Sequence, residues 1–237
     1  MNFVEALVSK GQDAGLTFTS EQVDKFNKYY EMLIETNKSM NLTAITEPDE
    51  VAVKHMIDSL LVYKEKDFTG KTLVDVGTGA GFPGIPLKIY CPSLKIVLMD
   101  SLAKRLKFLQ TVIEQLGLEE ITCEHIRAED AGHKAQHREH YDIAIARAVA
   151  PLAVLAEYCL PLVKSGGFFY AMKGSKYKDE FEQGEKAINI LGGKLVACEE
   201  IKLPGLDDGR AVLIVQKYKK TPEKYPRKAG VAAKAPL

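Results

Sequence analysis

Apolar positions divide this 237-residue chain into two differently patterned stretches. Up to about residue 66 they recur at helical spacing. Val23, Phe26, Tyr30, Leu33 and Ile34 share one helix face, and Thr19 with Gln22 three residues on predicts a capping box at its start. Glu47-Pro48-Asp49 opens a second helix, with proline in the first turn and acids beside it, and Val51, His55, Leu60 and Leu61 follow. Between them, Asn37-Lys-Ser-Met-Asn41-Leu-Thr43 is polar and amide-rich. By pattern it is a loop between helices.

From Thr69-Gly70 onward, short apolar runs alternate with helical stretches. Strands are predicted at Leu73–Val76, Lys95–Asp100, Ile121–Ile126, Tyr141–Ala146, Gly166–Met172, Leu195–Ile201 and Arg210–Tyr218. Helices are predicted near Pro83–Tyr90, from Ser101 as cap to Gly117 as stop, over Pro151–Val163 and over Tyr177–Leu191. Strands joined through helices run parallel, whereas the short link before Arg210 makes the last pair antiparallel. The expectation is a Rossmann-like α/β fold with a mostly parallel seven-stranded sheet, a final antiparallel strand and an N-terminal helical extension. We divide the chain into the extension (1–66), the core (67–220) and a Pro-, Ala- and Lys-rich tail (221–237) that clings to the surface or stays mobile.

The stretch Leu73-Val-Asp-Val-Gly-Thr-Gly-Ala-Gly-Phe-Pro-Gly84 is strand, glycine turn and helix start. Glycines let backbone approach a ligand and adopt positive φ, and the helix start aims N–H groups at it. Gly79 to Gly84 also satisfies G-x-G-x-x-G, the dinucleotide pattern. Asp75 at the strand end suits a positively charged ligand better than a pyrophosphate, and Pro83 removes one N–H. The pattern D-x-G-x-G-x-G is that of S-adenosylmethionine (SAM) methyltransferases.

In such sheets ligands sit at the carboxyl ends of the strands. The first strand end offers Gly77, Gly79 and the backbone near Phe82. The second offers Asp100, which can accept from both ribose hydroxyls and also serve the following helix start at Ser101. The third leads to Arg127-Ala128-Glu129-Asp130, where an N–H and a carboxylate can read the adenine edge, and the fourth ends in Arg147.

The formal charge is zero, but unevenly spread. From Lys217 onward seven basic residues face Glu223 alone, so the tail carries +6 and the remainder −6. That asymmetry points to a polyanion, or to a solvated tail. No run is long and apolar enough to span a membrane, and Met1-Asn-Phe-Val-Glu-Ala lacks a signal-peptide pattern. Cys91, Cys123, Cys159 and Cys198 form no C-x-x-C pair and are expected as buried thiols in the cytoplasm. His133, His137 and His140 have a metal-compatible spacing without a completing acid or cysteine, so no metal is expected.

Several motifs together resemble the RsmG (GidB) family: Asn37-Lys-x-x-Asn41-Leu-Thr43, His55 with Asp58-Ser59, the glycine stretch to Gly84, Asp100-Ser with Lys104-Arg105, Arg127-Ala-Glu129, Arg147-Ala-Val and the closing Tyr225-Pro-Arg-Lys-Ala-Gly230. The resemblance covers almost the whole chain. It implies a class I SAM-dependent methyltransferase that modifies N7 of a guanine in 16S ribosomal RNA, acting on the small ribosomal subunit or an assembly intermediate. It also implies Gly77, Phe82, Ala128, Glu129 and Arg147 as SAM contacts, which join Asp75, Gly79, Asp100 and Ser101 in the predicted cofactor set. A monomer is expected.

The chemistry agrees with a ring-nitrogen acceptor. After the fourth strand the chain reads Arg147-Ala-Val-Ala-Pro151, without the Asn/Asp-Pro-Pro-aromatic box of exocyclic amine methylation. The one Cys-Pro, Cys91-Pro92, lies away from the strand ends, so a pyrimidine-carbon mechanism lacks its nucleophile. A guanine N7 lone pair needs alignment and no general base, and Arg147 is the residue expected to touch cofactor and base. RNA-binding candidates are Asn37, Lys38, Asn41, His55, Lys173, Arg210, Arg227 and Lys228. Two other functions stay open at this point: a nicotinamide-dependent oxidoreductase using Gly79–Gly84, and a non-catalytic RNA-binding module of ribosome assembly.

Overall fold

The computed structural model describes residues 1–147, 150–206 and 209–237, with the side chain of Lys176 left aside. The N-terminal part is α1 (Phe3–Asp13), α2 (Ser20–Met40), α3 (Pro48–Val51), a π-helical stretch (Ala52–Ile57), α4 (Asp58–Leu60) and α5 (Glu65–Phe68). Then follow β1 (Thr72–Val76), α6 (Gly84–Tyr90), β2 (Lys95–Asp100), α7 (Ala103–Leu116), β3 (Ile121–His125), α8 (Ala128–Ala131), β4 (Tyr141–Arg147) and α9 (Leu152–Cys159). The chain closes with β5 (Val163–Lys173), α10 (Phe181–Ile190), β6 (Gly193–Ile201), β7 (Arg210–Lys217) and α11 (Val231–Lys234).

The seven strands order as β3-β2-β1-β4-β5-β7-β6. All neighbours are parallel except β7, which inserts between β5 and β6 and is antiparallel to both. Strand alternation builds two cores. Leu73, Leu98, Ile145, Tyr170 and Val212 face one layer, which they share with Phe3, Phe26, Leu33 and Met56 of the N-terminal helices. Val74, Met99, Ala144, Phe169 and Leu213 face the other, with Leu152, Leu155 and Ile188 of α9 and α10. The period of two along a strand makes this split unavoidable once both faces are covered. The extension therefore packs into the same hydrophobic layer as the sheet.

Helix ends follow local chemistry. Thr19 and Gln22 form the expected capping box, and Gly117 takes the left-handed conformation that ends α7. Ser101 does not cap α7. Leu102 holds that position without a side-chain cap, and the Asp100 carboxylate accepts from the Leu102 N–H at 2.8 Å. The helix expected over Pro151–Val163 is shorter, since a 3-10 turn at Leu160–Leu162 takes over around Pro161. Within α2 the buried residues are Phe26, Tyr29 and Leu33, so the true face includes Tyr29. Cys91 and Cys159 are buried and Cys123 partly so, but Cys198 is exposed, because β6 is an edge strand whose outer face meets solvent. No helix among the described residues is long and apolar enough to cross a membrane.

The basic tail packs back on the α9 layer. Lys217 is fully buried, and its ammonium donates to the Leu160 and Val163 carbonyls at 2.6 and 3.2 Å and to Thr221 Oγ1 at 2.8 Å, beside Glu139 at 3.3 Å. Burial pulls its pKa down to about 8 against the attraction of Glu139. Part of the tail's positive charge is thus satisfied inside the protein.

Gly84, at the start of α6, has no room for a side chain. A Cβ there would meet Leu98 Cδ2 at 2.4 Å and Asp75 Oδ2 at 2.8 Å. Gly84→Ala should lower the urea midpoint by the equivalent of about 1–3 kcal/mol, the usual scale of overpacking, with an unchanged m-value. A wild-type midpoint would show that the strand-to-helix junction yields easily.

Candidate cofactor and substrate site

The glycine turn is tied down at the carboxyl end of β1. Gly77 and Thr78 donate their N–H groups to the Met99 carbonyl at 2.9 and 3.1 Å, which fixes the turn against β2. Gly77, Gly79 and Gly81 have φ of 71°, 63° and 105°, a region costly for residues with a side chain. Their surroundings differ. A Cβ on Gly81 would strike Ile85, Leu109 and the Tyr29 hydroxyl within 2.9 Å, whereas one on Gly79 would find only Gly77 O at 3.9 Å. Gly81 packs inward, and space lies open above Gly79.

Asp75 lies beneath this turn, not at its open face. It is fully buried, and its Oδ2 accepts from Thr78 Oγ1 at 2.7 Å and from the Gly84 N–H at 2.9 Å. Its Oδ1 has no hydrogen-bond partner among the described residues. Burial pushes the carboxyl up to about 6, against the hydrogen bonds from Thr78 and Gly84 and the charge of Arg147. The expected cofactor contact is thereby corrected to a support of the loop, because its polar reach is directed at the turn itself.

Arg147 ends β4 with its guanidinium largely buried. It donates to Asp58 Oδ2 at 3.0 Å, to the Lys54 carbonyl at 3.2 Å and to His55 Nδ1 at 3.3 Å, and its Cζ sits 4.9 Å from the centre of the Phe82 ring. The Lys54 carbonyl is available because the helix is π-wound there. Asp58 N–H, its partner in an α-helix, bonds to Val53 and His55 carbonyls instead. Burial pulls the Arg147 pKa down and Asp58 opposes it, and an arginine stays charged regardless. Arg210 reaches the same Asp58 oxygen at 3.6 Å, so one carboxylate lies between two guanidinium groups. Ala148 and Val149, which follow in the motif, lie outside the described residues.

His55 stacks on Phe82 at 4.5 Å between ring centres. Burial, reinforced by the Arg147 charge, pulls its pKa down to about 3. The ring is therefore neutral near pH 7, and because Nδ1 accepts from Arg147, we assign the proton to Nε2, which donates to Thr43 Oγ1 at 2.8 Å. Thr43 is set in turn by the Asn37 side chain, whose amide exchanges two bonds of 2.9 Å with the Thr43 backbone. The amide-rich segment is thus a scaffold for His55. Tyr29 closes the cluster from below, donating to the Ala80 carbonyl at 2.6 Å and packing 5.5 Å from Phe82.

The second and third strand ends form a neighbouring groove. Asp100 is 5% exposed, accepts from the Gly79 N–H at 3.0 Å through Oδ2 and holds the Leu102 N–H through Oδ1. Arg105 lies 3.6 Å from Oδ2. Ser101 lines an open groove with His125, Ile126, Arg127 and Asp130. Ala128 and Glu129 start α8 at its edge, both buried, and Glu129 Oε1 accepts from the Gly230 N–H of the tail at 3.0 Å.

The proposed RNA rim is divided by the fold. Asn37 and His55 turn inward and organise Arg147, as described. Lys173 is 9% exposed and pairs with Glu180 at 2.8 Å while donating to the Ala150 carbonyl. Arg227 donates twice to Glu157 through Nε and once through Nη2 at 2.6 Å, and pins the tail to α9. These four are corrected from surface contacts to internal ones, because each finds a polar partner that solvent would otherwise supply. Lys38, Asn41 and Lys228 remain exposed, Asn41 as the left-handed cap of α2. Lys38 and Lys228 belong to elements on opposite layers of the sheet. His133 Nε2 donates to the Pro226 carbonyl of the tail at 2.6 Å, and His137 pairs with the Tyr141 hydroxyl at 2.7 Å. Tyr29, Thr43 and Asp58 were not singled out as site residues from sequence. Thr43 and Asp58 had a signal, Thr43 as the end of the amide-rich motif and Asp58 three residues after His55 on one helix.

Two measurements test this assignment. The native state binds the Asp75 proton more tightly than the unfolded chain, whose carboxyl titrates near 3.8. Its contribution favours the fold below about pH 4 and is lost as pH rises through about 6. Wild-type stability relative to Asp75→Asn should therefore fall across that window by on the order of 3 kcal/mol. A flat difference would show an ordinary carboxyl. Separately, Arg227→Met should destabilise the protein by about 3–5 kcal/mol in chemical denaturation, since it leaves the 1%-exposed Glu157 charge unpaired. A loss below about 1 kcal/mol would remove Arg227 as an anchor.

The chain matches the family described as "GidB: rRNA small subunit methyltransferase G" over residues 22–206. It is 50% identical over 227 residues to the Ribosomal RNA small subunit methyltransferase G of Alkaliphilus metalliredigens, covering 95% of each chain. It is 51% identical over 220 residues to the protein of that name from Desulforamulus reducens, covering 92% of each. Among solved structures, P. horikoshii TYW2 in complex with MeSAdo superposes with a TM-score of 0.54 at 16% identity, over 70% of this chain and 62% of that one, a likeness of fold alone. The glycine turn, the acid at the second strand end and the buried arginine thus sit in a chain whose length is matched nearly throughout, and this chain belongs to the GidB family of small-subunit rRNA methyltransferases.

Proposed function

We propose that this protein transfers a methyl group from SAM to N7 of a guanine in 16S ribosomal RNA. The observation that carries the reading is family membership over nearly the whole chain, together with a strand-end site that fits SAM. Space above Gly79 admits a ligand against the turn, Asp100 stands where ribose hydroxyls need acceptors, and the groove beyond Ser101 takes a base. The bound sulfonium supplies a methyl group that an aromatic nitrogen lone pair can attack directly. Phe82, Ala128 and Glu129 would complete the cofactor walls, with Gly77 and Gly79 beneath.

The residues around Arg147 favour an acceptor that has no proton to lose. His55 is neutral, and both its ring nitrogens are engaged. Asp58 lies between Arg147 and Arg210, with its Oδ2 3.0 and 3.6 Å from their guanidinium nitrogens. Neither is placed as a general base, and guanine N7 needs none. What remains for the protein is alignment, in which a displacement of about 1 Å can cost about a hundredfold in rate. Arg147, fixed by three acceptors and a ring, is the group we place against the acceptor base. Its charge disfavours a cationic acceptor and suits the O6 acceptor of a neutral guanine, which leaves the N7 lone pair free to attack the methyl group. Exposed Lys38 and Lys228 are proposed to meet RNA phosphates. The family offers no support for a nicotinamide oxidoreductase or for a non-catalytic module.

Labelled SAM and RNA of an unmodified small subunit should yield label in 7-methylguanosine. Label in another nucleoside would sink the N7 assignment. Arg147→Ala should lower kcat/KM at least about a hundredfold. Thr43→Val, which removes the hydroxyl that accepts from His55, should lower kcat about tenfold through misalignment while leaving KM for SAM within about twofold. An unchanged kcat in Thr43→Val would show that Arg147 does not depend on this chain of bonds.

A further inference from the structure

We propose that the C-terminal tail is part of the cofactor site, with the Gly230 N–H fixing the Glu129 carboxylate so that it recognises the 6-amino group of adenine. The proposal rests on the SAM reading of the strand-end groove. It starts from one contact across 101 residues of chain, Gly230 N–H to Glu129 Oε1 at 3.0 Å. Glu129 opens α8 immediately beyond β3, at the groove edge, and is 6% exposed. A glutamate side chain has several rotatable bonds and loses much freedom when held. The tail's N–H engages one oxygen, and with the Tyr158 hydroxyl beside the same carboxylate it holds the group in one orientation, whose remaining lone pairs can accept.

The donor is itself held. Upstream, the Arg227 N–H donates to Glu157 Oε1 at 2.8 Å in addition to the guanidinium bonds. The carbonyls of Thr221 and Tyr225 accept from Arg138 at 2.8 Å each. Gly230 has φ of 81°, which glycine alone adopts readily. Beyond it, the Val231 N–H closes a turn onto the Lys228 carbonyl at 3.0 Å and Ala232 is fully buried. The strap is thus fixed on both sides of Gly230. The tail meets the groove through His133, which lines it and donates to the Pro226 carbonyl at 2.6 Å.

A fixed carboxylate discriminates at position 6 of a purine. Adenine carries an amino donor there and pairs with it. Hypoxanthine carries a carbonyl oxygen, which leaves the carboxylate unpaired and facing a second acceptor. Tyr158 borders the same carboxylate. Burial raises its pKa, and the Glu129 charge raises it further, so its hydroxyl stays protonated near pH 7.

The test compares binding of S-adenosylhomocysteine and S-inosylhomocysteine by calorimetry to the intact protein and to a chain ended after Arg227. That chain keeps the Arg138 and Arg227 bonds and lacks Gly230. The intact protein should prefer the adenine compound by about a hundredfold or more, and the shortened chain should lose about tenfold or more of that preference. A merely structural tail would weaken both compounds alike and leave the ratio unchanged, which would overturn the proposal. An intact protein that binds neither compound overturns the cofactor reading itself, and the proposal with it. If the shortened chain does not fold, amide exchange in the intact protein decides. Exchange at Gly230 should slow more with the adenine compound than with the inosine one, and equal exchange overturns the proposal.

Discussion

A buried guanidinium must have its N–H groups matched, and much of the site follows from that requirement at Arg147. Burying an unpaired charge is prohibitive, so its partners are fixed along with it. The match comes from three kinds of group at once: the Asp58 carboxylate, the His55 ring nitrogen and a main-chain carbonyl at Lys54. The carbonyl would be engaged in an ordinary α-helix. The π-wound stretch Ala52–Ile57 frees it, so a local irregularity of the N-terminal helix is the means by which that helix binds the end of β4. Neutral His55 then passes the constraint on to Thr43 and Asn37.

The sheet supplies the other half of the geometry. Parallel strands bring the ends of β1, β2, β3 and β4 to one edge, and each leaves a different chemistry there: a glycine turn, a carboxylate, a short helix start and an arginine. Asp75 and Asp100 divide the work of shaping the turn. Asp75 holds it from below through Thr78 and Gly84, and Asp100 holds it from the side through Gly79. The same Asp100 also holds the Leu102 N–H at the start of the segment leading into α7, so one carboxylate ties the turn to the end of β2.

The tail completes the picture from the opposite layer. Its charge suggested a polyanion, but Lys217 and Arg227 are committed to carbonyls and to Glu157 inside the fold. Those bonds carry the chain from the foot of β7 along α9 to Glu129, next to the groove. A single chain thereby surrounds the site from both faces of its sheet, with N-terminal helices over Arg147 and the C-terminal strap beside Glu129.

Period-two strands, helical stripes, capping boxes and the glycine run are local properties, so the sequence by itself determined all seven strands, the two-faced sheet and the positions of Gly77, Gly79, Asp100 and Arg147. Local patterns also carry a limit. Ser101 looked like a cap, yet Leu102 takes the capping position and Asp100 holds the Leu102 N–H. Asn37, His55, Lys173 and Arg227 looked like surface contacts, and each proved to have an internal partner, in Arg227's case 70 residues away. Tyr29 gave no polar signal at all, because its role is one hydroxyl directed at a carbonyl 51 residues on. Whether a polar side chain faces water or another residue is not encoded in its neighbours along the chain. It is decided when distant segments meet, since only then does burial make an unpaired donor or charge costly, and only the tertiary structure fixes which partner removes that cost.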